Sequence, residues 1–248
     1  MKQVDLDYRS RRISIKNERI KNLIRKLDEG RFLIPTFQRT YIWDPGNIVD
    51  LWQSIYEFYP IGSILYWKTR TRLHVHRRLG GFYLPGDGDG GDAPRSYILD
   101  GQQRITSLHA SFHGGAGKIR EKYDFDFTLY FDLKNAVFFF ENEYYRHRWD
   151  VDGAFLVRLK DVPDLPSDYC RLLPGASPEI ERNLGQIKYM FSGYSVPLIC
   201  LEGFDIHSVC AVFERINQTG IKLDNLDIMI ARSFDNCETV VEEDFPIK

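Results

Sequence analysis

The stretch Ser96-Tyr-Ile-Leu-Asp100-Gly-Gln-Gln-Arg104-Ile-Thr-Ser-Leu108 constrains the fold most, because it commits the chain to a strand that turns directly into a helix. Tyr97 to Leu99 read as a short apolar strand, Asp100-Gly101 as the turn, and Ile105, Leu108 and Phe112 as one face of a helix. A helix that starts this way offers an anion site. Its first N–H groups lack partners inside the helix, and its dipole is positive there. Gly101 allows a tight turn and close approach of a ligand, and Arg104 adds a planar, permanently charged donor suited to phosphate. Asp100 followed by Gln103 equally fits a variant capping box, in which case Arg104 is a solvated first-turn residue. Capping does not need Gln102, Gln103 and Arg104 together, and Gly is a costly choice just inside a helix.

Around this stretch the periodicities predict an α/β chain. Residues 17–29 form an amphipathic helix with Ile20, Leu23, Ile24 and Leu27 on one face, stopped by Gly30. Phe32 to Ile34 make a short strand that Pro35 ends or holds at an edge. Gln38 and Arg39 then stand in a loop among Phe37, Tyr41 and Trp43, either as an aromatic-packed loop or as a second cationic arm with stacking surfaces. Further helices are expected at 46–59, 178–191, 206–216 and 224–234. Strands are expected at 63–67 and 196–201, with a hairpin over 124–132 and 136–141. Residues 142–175 are punctuated by proline and irregular.

Several chemistries are excluded. Four scattered cysteines with no C-x-x-C pair argue against structural zinc and for free thiols. His109 and His113 are four apart on the predicted helix but lack the Glu of an H-E-x-x-H motif, and His74 and His76 have no evident third ligand, so neither pair is expected to be a metal site. The acidic loop over 86–92 places Ile98 where a calcium loop needs its bidentate Glu. Gly114-Gly-Ala-Gly117-Lys118 has the wrong spacing for a P-loop. A net charge of -2 gives no bulk attraction to nucleic acid or membrane. Lys68, Arg70, Arg72, Arg77 and Arg78 nevertheless form a basic run that fits either a DNA-facing patch or a charged edge strand. With no transmembrane-length apolar run and no signal-peptide core, the expected location is cytoplasmic.

Four motifs occur in order: Ile34-Pro-x-Phe-Gln38-Arg39-x-Tyr-x-Trp43; Ser54-Ile55 with Pro60-Ile-Gly62-Ser63; Asp100-Gly-Gln-Gln-Arg104-x-Thr106-Ser107; and Phe213-Glu-Arg-Ile-Asn217-x-x-Gly220-x-x-Leu223. Together they resemble domain of unknown function 262, the N-terminal domain of GmrSD-type modification-dependent restriction proteins and related phage-defence proteins. The resemblance runs over 17–235, leaving 1–16 as an N-terminal arm and 236–248 as an acidic tail or truncation point. It implies a ParB/sulfiredoxin-like mixed sheet with surrounding helices, whose D-G-Q-Q-R turn binds a nucleoside triphosphate, with Mg2+ as the expected metal.

On that resemblance Asp100, Gln102, Gln103 and Arg104 form the phosphate and hydrolysis element. Gln38, Arg39, Gly101, Thr106, Ser107 and Asn217 complete the nucleotide pocket. The function implied is an NTP-binding, NTP-hydrolysing regulatory domain of a restriction or phage-defence system, the choice among GTP, ATP and CTP being left open. The alternative is a DNA-binding module that senses modified DNA without turnover. Expected partners are nucleotide, DNA and a nuclease domain or subunit, with no membrane; an oligomer is left open. No HNH-type nuclease motif is present among the six histidines, so DNA cleavage would need that further domain or subunit.

Overall fold

Apolar runs in three segments build the centre of the molecule: Ile64-Leu-Tyr-Trp67, Tyr97-Ile-Leu99 and Val196-Pro-Leu-Ile-Cys-Leu201. Runs without polar alternation suit strands covered on both faces, and all three take that role. The computed structural model describes residues 8–36, 38, 41–76, 78–79, 82–83, 93–119, 122–141, 152–166 and 168–216. In it, β1 (Arg12–Arg19), β11 (Ser195–Glu202), β2 (Ile64–Thr69) and β5 (Arg95–Asp100) form a mixed sheet in that order. β1 runs antiparallel to β11, β11 parallel to β2, and β2 antiparallel to β5. Leu33 adds a one-residue parallel bridge outside β5, and Pro35 bridges Val75. The expected strand at 32–34 is thus reduced to an edge bridge that Pro35 closes.

Alternation along the strands divides the core. Ile64, Ile98, Val196 and Leu198 face a large apolar cluster built with α1 (Ile20–Asp28), α2 (Pro45–Tyr56), α3 (Gln102–His113) and α4 (Pro178–Gly193). Leu65, Trp67, Tyr97, Leu99 and Leu201 face a smaller one, covered by Leu73 and by Val209 of α5 (Ile206–Ile216). Mixed sheet and flanking helices make this an α/β fold, as the sequence predicts.

Differences from the sequence reading have local causes. Residues 12–19 are the edge strand β1, so the first helix starts at Ile20 and not at residue 17. Ile13 and Ile15 alternate with Arg12, Ser14 and Lys16, a strand period easily lost among so many charges. The long strand expected over 124–132 is broken at Phe127–Thr128. β7 (Tyr123–Asp126) pairs back to β6 (Ala116–Ile119), whereas β8 (Leu129–Asp132) pairs with β9 (Val137–Phe140) and β10 (Leu156–Arg158). Asp126 makes the break by accepting from Thr128 N at 2.8 Å, an Asx turn. β3 (Arg78–Leu79) and β4 (Phe82–Tyr83) form a two-residue hairpin. The expected helix at 224–234 lies outside the described residues, as does the acidic loop at 86–92. No described helix is long and apolar enough to cross a membrane.

Candidate functional site

The D-G-Q-Q-R segment joins β5 to α3. The β2–β5 register shifts between Leu65 and Tyr66, pairing Leu65 with Asp100 and Tyr66 with Ile98. Leu99 is therefore the extra residue of a bulge, a device that re-aims side chains at strand ends. Gln38 covers the disturbance: its Nε2 donates to Leu99 O at 2.8 Å and to Ile98 O at 3.2 Å. The strand then ends at Asp100, whose side chain is partly exposed.

Gly101 is the N-cap of α3, with φ 90° and ψ 11°, a left-handed conformation that glycine adopts without steric cost. Among the described residues no side chain caps this helix and its first turn holds no acid; the nearest carboxylate, Asp100, stands just before the N-cap and is paired with Arg104. The capping-box alternative is not what forms. Asp100 belongs to the strand, and its Oδ2 accepts from Arg104 Nη2 at 3.1 Å. Gln103 reaches away from its own helix, and its Oε1 accepts from Ile42 N at 2.9 Å and Trp43 N at 3.3 Å.

Arg104 is not a solvated side chain; it is 18% exposed. Its Nη1 donates to Ile61 O at 2.6 Å, and its guanidinium lies over Gly62, where a Cβ would stand 2.4 Å from Nη1. The Tyr59–Ile61 segment is held from the other side by Tyr194, whose hydroxyl donates to Tyr59 O at 2.7 Å and accepts from Ile61 N at 3.2 Å. Pro60-Ile-Gly62-Ser63 therefore forms one wall of the turn through its backbone. In the sequence this segment stands out only as a family motif, which reveals neither its place at the turn nor its carbonyl role.

Deeper in α3 the polar residues face inward. Ser107 is fully buried and its Oγ pairs with the Tyr41 hydroxyl at 2.8 Å. Burial pushes the Tyr41 phenol up from its ordinary value, so it stays protonated. Ser111 Oγ accepts from Trp52 Nε1 at 2.7 Å and donates to Ser107 O. Thr106 and Gln102 are also buried, and Thr106 Oγ1 has no hydrogen-bond partner among the described residues.

The structure thus brings Gln38, Asp100, Gly101, Gln103 and Arg104 to one turn and places Ser107 in the core behind it. Arg39 and Asn217 lie outside the described residues, as does Arg77. Of the basic run, Lys68 is paired with Glu202 Oε1 at 2.9 Å across β2 and β11, Arg72 is half-buried and Arg70 is exposed. Only the backbone of Arg78 is described. One association escaped the sequence altogether: Asp28, at the end of α1, meets both His109 and His113.

Comparison with known proteins agrees with this convergence of motifs. The chain is 26% identical over 240 residues to the uncharacterized protein MJ0686 of Methanocaldococcus jannaschii, an alignment that covers 86% of this chain and 41% of that protein. The chain therefore spans less than half the length of that relative. A family model described as the GmrSD restriction endonuclease, N-terminal domain, matches residues 20–234. With the Gln38, Gly62 and Arg104 motifs folded onto one turn inside that matched range, the chain belongs to the GmrSD restriction endonuclease N-terminal domain family.

Proposed function

We propose that the β5–α3 turn binds the phosphates of a nucleoside triphosphate and supports its hydrolysis, as a regulatory step in a restriction or phage-defence system. The observation that carries this reading is the start of α3. A helix without a side-chain cap or first-turn acid begins at a left-handed glycine, and an arginine stands beside it. First-turn N–H groups point along the helix axis and attract anions. At Gly101 an added Cβ would meet Ile64 Cγ1 at 3.0 Å and Arg104 Nη2 at 3.4 Å, so close contact and the left-handed φ together disfavour any larger residue.

The roles follow from the bonds each side chain already makes. Arg104 uses Nη1 and Nη2 to hold Ile61 and Asp100, and the remaining N–H groups of its fork suit a phosphoryl oxygen. Charge developing on the transferred group is stabilised by such fixed donors, which do not reorganise during reaction. Asp100 offers a partly exposed carboxylate oxygen, the hard donor that Mg2+ takes in nucleotide sites. When bound with the triphosphate, Mg2+ would neutralise phosphate charge. Gln38, Gln103 and Ser107 are positioning residues: they hold β5, the 41–43 segment and Tyr41 around the turn. Gln102 and Thr106 are buried in the first turns of α3, and Arg39 and Asn217, outside the described residues, stay candidates from the family resemblance alone. Contacts to phosphate serve GTP, ATP and CTP alike.

In this reading DNA and a nuclease domain or subunit are the partners that the nucleotide cycle controls. The test is calorimetry with each triphosphate and Mg2+, on the wild type and on Arg104→Lys, which keeps a charge but loses the planar fork. Binding that weakens in the folded variant supports the site, and a hydrolysis assay follows. Well-folded wild type that binds no triphosphate overturns the reading. Salt-sensitive DNA binding indifferent to nucleotide would then favour the DNA-sensing alternative.

A further inference from the structure

Away from the β5–α3 turn, two helices end at the same place. Asp28 is the last residue of α1, and His113 is the last of α3, with His109 one turn earlier. His109 Nε2 lies 3.0 Å and His113 Nε2 2.8 Å from the same oxygen, Asp28 Oδ1. The imidazole centroids are 4.6 Å apart. One ligand atom from each of the three residues falls within 4.8 Å of the other two.

Both helices present their negative dipole ends here. A carboxylate at a helix C-terminus is disfavoured unless a cation balances it, so Asp28 adds charge of the wrong sign for its position. Two helix ends and one carboxylate thus direct negative charge at the cluster, with Arg25 and Lys26 in the last turn of α1 as basic neighbours along the chain. Histidines at i and i+4 share a helix face, which pre-sets the spacing of their nitrogens. Ligand atoms bound at about 2.0 Å in a tetrahedron stand about 3.3 Å apart, so small rotations from the present spacing suffice.

We propose that Asp28, His109 and His113 hold a divalent transition-metal ion of the zinc class between the C-terminal ends of α1 and α3. Two imidazole nitrogens and one carboxylate oxygen suit Zn2+ or Co2+ and do not suit Mg2+, which prefers all-oxygen shells. His109 is buried, while His113 and Asp28 are partly exposed, at 35% and 40%. The ion would therefore keep a solvent-facing position for water. Gln102 and His109 are seven positions apart, so the rise per residue separates this site from the proposed nucleotide site by about 10 Å. It is independent of that site and of its Mg2+. An ion here would tie α1 to the far end of the helix that begins at Gly101.

The experiment uses the full chain after chelator treatment, titrated with Zn2+ by calorimetry and with Co2+ by visible absorption. One equivalent is expected, with absorption of tetrahedral or five-coordinate Co2+ and a Zn2+-dependent rise in melting temperature. Asp28→Asn and His113→Gln, both at partly exposed positions, should each weaken binding by at least about 10-fold. His74→Gln should bind as the wild type does. Equal Zn2+ affinity in wild type, Asp28→Asn and His113→Gln, or no saturable binding by folded wild type, would overturn the assignment. The three residues would then form a hydrogen-bonded helix clasp only.

Discussion

Arg104 donates through Nη1 to the carbonyl of Ile61 at 2.6 Å, and this bond fastens the start of α3 to the loop before β2. Gly62, with φ +83°, makes it possible by leaving room for the guanidinium. Gly62→Ala should therefore be doubly unfavourable, straining the backbone and pushing a methyl to 2.4 Å from Nη1. Left-handed strain alone costs about 1–3 kcal/mol. Denaturant unfolding should show a loss of at least that size, and the triphosphate affinity of the folded fraction should fall with it. An unchanged midpoint would mean that neither the left-handed Gly62 backbone nor the hold on Arg104 is as described.

Gln103 separates a positioning role from a chemical one. Its Oε1 accepts from both Ile42 N and Trp43 N. Gln103→Ala leaves these partly buried donors without that acceptor, so the loss should fall at the lower end of the roughly 1–3 kcal/mol of a buried group. Gln103→Glu keeps an acceptor of the same shape and should restore most of the stability. If nucleotide turnover recovers in step with stability in the Glu variant, the residue acts through the 41–43 segment. Turnover that stays lost in a fully stable Glu variant would instead assign its amide NH2 to the chemistry.

The strand–turn–helix of residues 96–108 was legible because each link has a local cause: apolar strand, Gly at the turn, helical spacing of Ile105, Leu108 and Phe112. The family resemblance also implied that Gln38 and Arg104 share one pocket, whereas the place of Gly62 beside them was not foreseen. What they do there was not legible. Gln38 answers a bulge at Leu99, and Arg104 answers a carbonyl of Ile61, and both are long-range backbone bonds that no spacing encodes. Asp28 was invisible for the same reason, being 81 residues from His109. β1 was missed because one partly apolar period sits inside a charged stretch, and its pairing with β11 is decided about 180 residues away.

The chain Trp52–Ser111–Ser107–Tyr41 predicts a purely structural defect. Trp52 is fully buried and Ser111 Oγ accepts its indole N–H at 2.7 Å. Ser111→Ala orphans that donor and should cost about 1–3 kcal/mol, read as a lower denaturant midpoint with an unchanged slope. Nucleotide affinity at a stabilising temperature should not move, since Ser111 lies more than two turns from Gly101 along α3. A selective loss of affinity would extend the site farther into the helix than its geometry implies.

Asp205 predicts how the N-terminal segment responds to acid. Its Oδ1 accepts from Ser208 N at 3.0 Å, and its Oδ2 takes Ser208 Oγ at 2.7 Å and Arg11 Nη2 at 3.0 Å. Desolvation raises the carboxyl pKa, but the Ser208 bonds, aided by the Arg11 charge, outweigh it and hold the group below its ordinary 3.8. A folded-state value below the unfolded one means that the unfolded chain binds more protons in the window between them. Stability from this group is then fully present above 3.8 and is lost as pH falls through the folded value. Asp205→Asn keeps a competent helix cap but removes the charge facing Arg11. The variant should be less stable than the wild type at neutral pH, and the two denaturation midpoints should converge in acid below 3.8. A gap that stays constant through that range would assign the effect to packing of the 205–208 turn and not to the carboxylate charge.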